Sequence, residues 1–244
     1  MAEDVQARNR RFVAVIPALD EAEGITEVVQ TVRACGIDVL VVDDGSRDET
    51  ARVAEEAGAI VLRHDMNLGK GMALATGFTW AREHGVNAVI TLDADGQHDP
   101  LEIPKFIEAY QRTGIPVLVG NRMWNPAGMP CIRRLTNGYL SGVLSREMGQ
   151  FVPDTQCGFR LYRCDIIPFV AAHSAGYAAE SEILLHVADR RIRIGSIRIR
   201  TIYRDQKSRI SPLRDTLRFY RMLRAHRAAK RLRRRVQRRR QAEY

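Results

Sequence analysis

The chain has 244 residues, of which 45% are hydrophobic and 27% are charged, and its formal net charge is +9. This length and composition predict one sizeable α/β domain, and no stretch approaches the ~20 apolar residues of a membrane span. Four cysteines without a C-x-x-C pair favour reduced thiols over a disulfide framework or a zinc site. The polar segment 1–11 lacks the apolar core of a signal peptide, so a cytoplasmic location is expected.

The positive charge is concentrated at one end of the chain. Residues 198–244 hold 18 Lys and Arg against 3 Asp and Glu, whereas the whole chain holds 38 against 29. A basic tail of this kind favours polyanions, either an anionic membrane face or nucleic acid, although a solubilising tail is the simpler alternative. We expect a flexible N-terminus at 1–10, a main domain at 11–212 and a basic amphipathic helix at 213–244.

Apolar runs and helical spacing alternate along the first half of the chain. Strands are predicted at 12–16, 39–42, 60–62, 88–92 and 117–119. Helices are predicted at 21–34, 48–57, 71–84, 100–112, 131–149 and 180–190. A strand or hairpin arm is predicted at 192–203, and Ser211-Pro212 indicates the start of the last helix. This alternation predicts a mostly parallel sheet covered by helices on both faces.

Acidic residues follow the predicted strands, most densely in Leu92-Asp93-Ala94-Asp95-Gly96-Gln97. In an extended chain, residues i and i+2 point to the same side, so Asp93 and Asp95 are expected to converge, with Gln97 beside them. Two close carboxylates repel unless a cation lies between them, and Mg²⁺ or Mn²⁺ bound to phosphate oxygens would meet that need. Because Asp and Gly are common in turns, an ordinary acidic turn is the alternative.

Six motifs in order resemble those of family-2 glycosyltransferases with the GT-A fold. They are V-A-V-I-P-A-L-D-E, V-V-D-D-G-S-R-D-E-T, N-L-G-K-G, L-D-A-D-G-Q-H-D-P, G-N-R and D-T-Q-C-G-F-R-L-Y, within residues 12–212. The pattern is most similar to the branch that makes dolichyl- or polyprenyl-phosphate mannose or glucose. The resemblance therefore implies a GT-A-type, Rossmann-like sheet flanked by helices.

The resemblance implies roles for residues at the expected sheet edge. The implied nucleotide-sugar contacts are Pro17, Ala18, Asp20, Glu21, Asp44, Lys70, Asp93 and Ala94. The implied ligands of a Mg²⁺ or Mn²⁺ cofactor are Asp93, Asp95 and Gln97. Asp20 stands where the family usually has Asn. From the residues alone, the acids at 20–21 could instead stabilise a helix N-terminus, Asp44 could belong to an ordinary turn, and Lys70 could be solvated.

A second set is implied for the acceptor phosphate and for catalysis. Acceptor contacts are implied for Arg122, Arg133, Arg134, Ser141, Arg200 and Lys207, and surface basicity is the alternative for the arginines. Catalytic roles are implied for Asp95, Arg122 and Glu180, with Glu180 orienting the sugar or simply starting a helix. Arginine suits phosphate because its planar guanidinium binds two oxygens at once.

The implied activity is inverting transfer of a hexose, from GDP-mannose or UDP-glucose, to a polyprenyl or dolichyl phosphate. We expect a peripheral protein on the cytoplasmic face of the membrane, held by its basic helix to anionic lipid, with a membrane protein as a further candidate partner. A family-2 transferase with a soluble or polysaccharide acceptor is one alternative. A nucleic-acid-binding protein acting through the basic tail is another, but no nucleic-acid module accompanies that tail and none is expected as a partner.

Overall fold

The computed structural model describes residues 12–126, 128–169, 178–200, 202 and 212–242. The strands are β1 (Phe12–Ala18), β2 (Asp38–Asp43), β3 (Ile60–Arg63), β4 (Ala88–Thr91), β5 (Val117–Asn121), β6 (Arg160–Arg163) and β7 (Ile194–Arg198). The α-helices are α1 (Ile25–Ala34), α2 (Thr50–Glu56), α3 (Lys70–Glu83), α4 (Ile103–Thr113), α5 (Cys131–Met148), α6 (Ala178–Asp189) and α7 (Pro212–Ala242). Short 3₁₀ helices occupy Pro100–Glu102 and Cys164–Phe169.

The seven strands form one sheet in the order β3-β2-β1-β4-β6-β5-β7. All neighbouring strands are parallel except β6, which is antiparallel to both β4 and β5. Consecutive residues of β1, β2 and β4 are buried, which requires cover on both faces of the sheet because successive side chains point to opposite sides. The mostly parallel, helix-flanked sheet predicted from the sequence is confirmed.

The helices form where the sequence offers an apolar face. On α1, Ile25, Val28, Val29 and Val32 recur at helical spacing and are all buried. The predicted 100–112 helix divides into a 3₁₀ turn, whose first N–H is capped by Asp99, and α4. Within the described residues of the predicted 192–203 segment there is one short strand, β7, which pairs in parallel with β5 and not as the arm of a hairpin.

Strand β6 was not predicted. It has only two apolar residues, Leu161 and Tyr162, between Arg160 and Arg163, so no apolar run marks it in the sequence. Its antiparallel direction has a consequence for the site. Thr91 at the end of β4 lies opposite Arg160 at the start of β6, so the loop that precedes β6 reaches the same sheet edge as the loop that follows β4.

The C-terminal helix α7 packs on the main domain. Phe219, Met222 and Leu223 are buried in the common core, mainly beside α6. Two ion pairs also join α7 to neighbouring helices: Arg227 lies 2.7 Å from Glu147 of α5, and Lys230 lies 2.9 Å from Asp189 of α6. The amphipathic pattern predicts an apolar stripe of Leu213, Leu217, Tyr220 and Leu223 on this helix. Leu223 is buried, Tyr220 is half-buried and Leu217 is exposed, while the side chain of Leu213 lies outside the described part.

Candidate active site

The polar residues that follow β1, β2 and β4 gather at the carboxyl edge of the sheet. In parallel α/β sheets this edge is where ligands bind. β4 ends at Thr91, and the chain turns at 94–96, where Gly96 has a φ of 68°. The extended backbone assumed for 93–97 is therefore wrong. The reason is local: the Asp95 carboxylate accepts the Gln97 N–H at 3.0 Å, a side-chain turn that competes with extended chain.

Lys70 bridges two carboxylates at this edge. Its ammonium nitrogen lies 2.5 Å from Asp93 Oδ1 and 2.9 Å from Glu180 Oε1. Glu180 is buried, and Lys70 and Asp93 are largely buried. The three residues come from the start of α3, the loop after β4 and the first turn of α6. For Asp93 and Glu180, the chain itself thus provides the cation that two close carboxylates need.

The charges of this cluster stabilise one another. Burial alone raises the pKa of the Asp93 carboxyl, but the Lys70 ammonium, together with other nearby positive charge, holds that pKa well below its usual range. Burial alone lowers the pKa of Lys70, yet Asp93 and Glu180 together raise it above its usual value. At neutral pH, Asp93 is therefore ionised and Lys70 is protonated.

His98 forms a hydrogen bond with the backbone of Asp93. The N–H of Asp93 donates to His98 Nδ1 at 3.1 Å, so the ring is neutral with its proton on Nε2. Burial lowers the pKa of His98, which agrees with that neutral form. Its ring packs beside Phe159, 5.5 Å away between centroids. The backbone of the Asp93 loop is thus fixed by a buried side chain that the sequence analysis did not single out.

The backbone of Gly158 lies close to the carboxylates of Asp93 and Glu180. A Cβ at this position would stand 2.9 Å from Glu180 Oε1 and 3.0 Å from Asp93 Oδ1. Thr91 Oγ1 donates to the Gly158 carbonyl at 2.8 Å, which ties this loop to the end of β4. The loop thus needs a residue without a side chain here, because any other would press on both acids.

A fully buried arginine holds the same loop. Arg160 donates from Nε to the Cys157 carbonyl at 2.7 Å and from Nη2 to the Thr155 carbonyl at 2.8 Å. Its Nη1 donates to the Glu180 carbonyl at 2.7 Å and to the Tyr162 hydroxyl at 3.0 Å. One guanidinium therefore fixes both the loop and the start of α6, which carries Glu180.

Arg122 is paired with an acid rather than open on the surface. Its Nε and Nη2 donate to the two carboxylate oxygens of Asp154 at 2.7 and 2.9 Å, and its backbone N–H donates to the same carboxylate at 3.1 Å. Both side chains are buried, and the guanidinium lowers the pKa of Asp154 despite burial. Asp154 lies in the D-T-Q-C-G-F-R-L-Y motif, but the sequence analysis assigned it no role.

The loops after β1 and β2 are joined by side chains of the D-D-G-S-R-D-E-T motif. The N–H of Asp20 donates to Ser46 Oγ at 3.0 Å, and that of Glu21 donates to Thr50 Oγ1 at 2.9 Å. Asp20 has a φ of 52°, a conformation that Asn and Asp tolerate better than most residues. Pro17 and Ala18 end β1 beside these loops, and Ala94 is buried in the loop after β4.

Asp44 organises the loop that leads to Lys70. Its carboxylate accepts the N–H groups of Leu68 and Gly69 at 2.9 and 2.7 Å, and it lies 2.8 Å from His64 Nδ1. The other ring nitrogen of His64 lies 3.0 Å from Thr76 Oγ1 on α3. Contact between Asp44 and a nucleotide stays a prediction; its observed contacts position the Lys70 loop.

The residues expected around the acceptor lie in different places in the structure, and only some of them are near the 93–97 loop. Arg133 reaches the site, with Nη1 3.4 Å from Gln97 Oε1, whereas Arg134 is exposed on α5. Ser141 is buried and binds the backbone N–H and the hydroxyl of Thr155, so it joins α5 to the 154–158 loop. Arg200 is exposed, 3.9 Å from a carboxylate oxygen of Glu102. Lys207 lies outside the described residues.

The donor atoms on the 93–97 loop suit a hard divalent cation. Asp93 and Asp95 offer carboxylate oxygens and Gln97 an amide oxygen, the ligands that Mg²⁺ and Mn²⁺ accept. Among the described residues, no three His, Cys, Asp or Glu side chains are grouped to hold a metal. Such an ion would therefore need further oxygen ligands from outside this loop.

None of the helices within the described ranges combines the length and the apolar character that crossing a bilayer requires.

Comparison with known proteins agrees with this geometry. The family model for glycosyl transferase family 2 matches residues 13–169. A UDP-N-acetylglucosamine–dolichyl-phosphate N-acetylglucosaminyltransferase of Methanococcus voltae is 30% identical over 212 residues, covering 78% of this chain and 84% of that protein. An undecaprenyl-phosphate mannosyltransferase of Micrococcus luteus is 29% identical over 209 residues, covering 80% and 85%.

A solved structure shares the fold. Glucosyl-3-phosphoglycerate synthase from Mycobacterium tuberculosis, in complex with Mn²⁺, UDP and glucosyl-3-phosphoglycerate, aligns with a TM-score of 0.64 at 22% identity. The alignment covers 85% of this chain and 77% of that one. The expected GT-A-type architecture is thereby confirmed.

Proposed function

Because this chain belongs to glycosyl transferase family 2, we propose that it moves a hexose from a nucleotide-diphosphate sugar to a polyprenyl or dolichyl phosphate. The observation that carries the proposal is the carboxylate cluster of Asp93 and Glu180 around Lys70, with Arg133 reaching the same loop. Relatives named for dolichyl- and undecaprenyl-phosphate acceptors support a lipid phosphate as the acceptor. GDP-mannose and UDP-glucose are the candidate donors.

The donor binds at the carboxyl edge in this proposal. Pro17, Ala18, Asp20 and Glu21 border the nucleotide, and Asp44 holds the loop that carries Lys70 toward the phosphates. Asp93, Asp95 and Gln97 would hold Mg²⁺ or Mn²⁺, which supplies positive charge for the leaving diphosphate. The metal complex of the structural neighbour supports a divalent cation in this fold.

The transfer is an inverting displacement. An oxygen of the acceptor phosphate attacks the anomeric carbon from the face opposite the diphosphate; the new C–O bond forms as the old one breaks, and the electron pair leaves with the nucleoside diphosphate. A phosphate is anionic at neutral pH, so it needs no general base. In this proposal Arg133 binds the acceptor phosphate, which its position beside Gln97 supports. Glu180 orients the sugar, which its position beside Lys70 supports.

Arg122 acts differently in this arrangement from what its motif implied. Its guanidinium already binds Asp154 through two nitrogens, so direct binding of the acceptor phosphate would require exchange of a buried ion pair. We assign Arg122 to holding the 154–158 loop and to providing positive potential behind Asp93, whose pKa it helps to lower.

A radiolabelled transfer assay tests the proposal. The full chain is incubated with Mg²⁺ or Mn²⁺, a polyprenyl phosphate, and GDP-mannose, UDP-glucose or UDP-N-acetylglucosamine in turn. A lipid-linked sugar is expected from at least one donor. In a parallel incubation with 3-phosphoglycerate in place of the lipid, label on that acceptor alone would favour the soluble-acceptor alternative. Absence of any lipid-linked product would refute the proposal.

The Asp95→Ala variant tests the metal assignment within that assay. Turnover should fall by about a thousandfold, because charge on the leaving group would no longer be neutralised. Asp165→Ala is the matched control, since this exposed acid pairs only locally with Arg163 across 2.6 Å. Wild-type turnover in Asp95→Ala would remove Asp95 from the catalytic set.

A further inference from the structure

The outward face of α5 carries an apolar stripe. Ile132, Leu135 and Tyr139, which we call the α5 stripe, are 69%, 71% and 60% exposed. They recur at i, i+3 and i+7 and so share one face of the helix. The face that packs on the protein is formed instead by Asn137, Leu140, Ser141, Leu144, Ser145 and Met148. Clustered exposed apolar side chains of this size mark contact surfaces.

The neighbouring helix α7 offers no comparable apolar cluster among its described side chains, residues 216–233. Phe219, Met222 and Leu223 already pack against the main domain, and ion pairs to α5 and α6 hold the helix there. The exposed leucines in that range, Leu217 and Leu232, lie far apart, and most of the other exposed residues are basic, including Arg221 and Arg224. Its contact with a partner is therefore mainly electrostatic.

The two helices form one continuous surface. The hydroxyl of Tyr139, at the end of the α5 stripe, lies 2.7 Å from that of Tyr220 on α7. Exposed arginines lie near the apolar side chains on both helices: Arg146 follows two turns after Tyr139 on the same face of α5, and Arg221 and Arg224 follow Tyr220 on α7. Apolar side chains rimmed by arginine fit the interface of an anionic bilayer, where the apolar groups enter the lipid and the guanidinium groups reach the headgroups.

This surface adjoins the acceptor side of the site. Arg133, the residue after Ile132, has its guanidinium 3.4 Å from the Gln97 side chain. Consecutive residues at the start of α5 thus lie in different environments: Arg133 contacts the 93–97 loop, whereas Ile132 is exposed to solvent. A lipid whose phosphate lies at Arg133 would need its hydrocarbon chain to leave the protein close to the α5 stripe.

We propose that the α5 stripe inserts into the interfacial layer of an anionic membrane and sets the position of the active site over the lipid. The choice of a lipid acceptor rests on the proposed function, whereas the insertion itself is argued from exposure and charge. In this arrangement the basic residues of α7 attract the protein to the surface, and the α5 stripe anchors it at the correct orientation.

The test compares binding of the full chain to vesicles of phosphatidylcholine mixed with phosphatidylglycerol. The double variant Ile132→Ser/Leu135→Ser should bind about tenfold more weakly, because two aliphatic side chains no longer enter the lipid. The difference should persist at about 1 M salt, where the screening length is about 3 Å and the arginines contribute little. Leu101→Ser is the control, since this equally exposed leucine lies on the 3₁₀ turn before α4.

A direct probe covers the case in which the double variant folds poorly. An environment-sensitive fluorophore on Leu135→Cys, in a Cys131→Ser background, should shift to the blue when vesicles are added, and the same dye on Leu101→Cys should not. Unchanged vesicle affinity of the double variant, or an unshifted fluorophore at 135, would overturn the proposal. So would sedimentation showing that the α5 stripe joins two copies of the chain while vesicle binding is unaffected.

Activity separates this proposal from the proposed function. With a short, water-soluble prenyl phosphate, wild type and the double variant should transfer sugar equally well. With a long-chain acceptor embedded in vesicles, the double variant should be slower. Failure of wild type with both acceptors would refute the proposed function, while the vesicle and fluorophore measurements would still decide whether the α5 stripe inserts.

Discussion

Gly158 and Lys70 determine the shape of the carboxylate cluster. Gly158 allows Asp93 and Glu180 to approach the loop before β6, and Lys70 neutralises both acids. The sequence predicted Asp93 and Lys70 as neighbours of one ligand, but not their contact with each other. The three charged residues come from segments far apart in the chain, and only the folded sheet edge brings them together.

The Gly158→Ala variant should lose activity while remaining folded. The added methyl group would stand 2.9 Å from Glu180 Oε1 and 3.0 Å from Asp93 Oδ1, so both carboxylates must shift. We expect the rate of sugar transfer to fall by about a hundredfold, since small displacements of catalytic groups are costly. Gly142→Ala on α5 is the control because open space surrounds that position. Equal activity of the two variants would contradict the proposal that Gly158 is needed to position Asp93 and Glu180.

Replacing Lys70 by Met should destabilise the fold. Removal of one partner leaves Asp93 and Glu180 close together and largely buried, so the free energy of unfolding should fall by about 3 kcal/mol. Lys105→Met is the comparison, because Lys105 pairs with Glu102 from an exposed position and should contribute less than about 1 kcal/mol. Urea denaturation of both variants measures the difference, and similar losses would contradict it.

At the scale of elements, most helices and strands followed from apolar spacing, and the exceptions have physical reasons. β6 is too short and too polar to be recognised from sequence, yet it turns the 154–158 loop toward the acids. The turn after Asp93 was missed because the i, i+2 argument assumes extended chain, whereas the Asp95 side chain binds the backbone two residues later. The burial of one face of α7 depends on α6, a tertiary contact that its sequence does not reveal.

Packing of α3 on the sheet depends on one glycine. A Cβ on Gly77 would stand 2.4 Å from Val15 Cγ1 on β1. Gly77→Ala should therefore reduce the free energy of unfolding by about 1–3 kcal/mol, the usual cost of overpacking. Gly142→Ala should instead stabilise the protein by about 0.5–1 kcal/mol, because it replaces glycine within a helix without a clash. Thermal or urea denaturation should give shifts of opposite sign.

The docking of α7 should weaken in mild acid. His226 is buried between α7 and α6, and burial lowers its pKa although Asp189 lies 3.5 Å from Nε2. The unfolded chain, with an ordinary histidine pKa of about 6.5, therefore takes up a proton more readily than the folded protein. The stabilising contribution is complete above about pH 6.5 and declines as the pH falls toward the lower, folded-state pKa.

The His226→Gln variant tests this pH dependence. Its free energy of unfolding should decline less steeply than that of wild type between about pH 6.5 and pH 5. His84→Gln, at an exposed position at the end of α3, should follow the wild-type slope. Parallel slopes for wild type and His226→Gln would show that His226 does not cause the decline.

For the whole molecule, the concentration of positive charge at the C-terminal end was evident from the sequence, but the surface of the protein that this basic helix packs against was not. The sequence predicts a basic helix on a membrane, and that contact stays a prediction. In the structure, Phe219, Met222 and Leu223 of this helix are buried against the main domain, while Leu217 and Leu232 are exposed. An exposed apolar surface appears instead on α5, where periodicity alone could not distinguish the outward face from the core face. Three-dimensional packing decided which helix kept its apolar side chains accessible.

Ligand binding should stabilise the whole domain. A nucleoside diphosphate with Mn²⁺, each at about a hundred times its dissociation constant, should add about 2.7 kcal/mol to the free energy of unfolding if they bind as a unit to the folded state. Differential scanning fluorimetry should show a higher melting temperature with both ligands than with either alone. Because Asp95 is a proposed ligand, Asp95→Ala should lose the increment due to the metal, and a full increment in that variant would contradict the assignment.

The antiparallel strand β6 also joins two stretches of the chain that supply different parts of the proposed site. The stretch before Arg122 supplies most of the edge that is proposed to bind the donor, and the stretch from α5 onward supplies the surroundings of the proposed acceptor together with Gly158 and Glu180. The two stretches meet through the hydrogen bonds of β6 to β4 and β5, through the buried Arg122–Asp154 pair and through the Lys70–Glu180 ion pair. A chimera joined between β5 and α5 should therefore alter the donor site as well as exchange the acceptor site, because the exchanged half carries the residues that lie against Asp93 and Lys70.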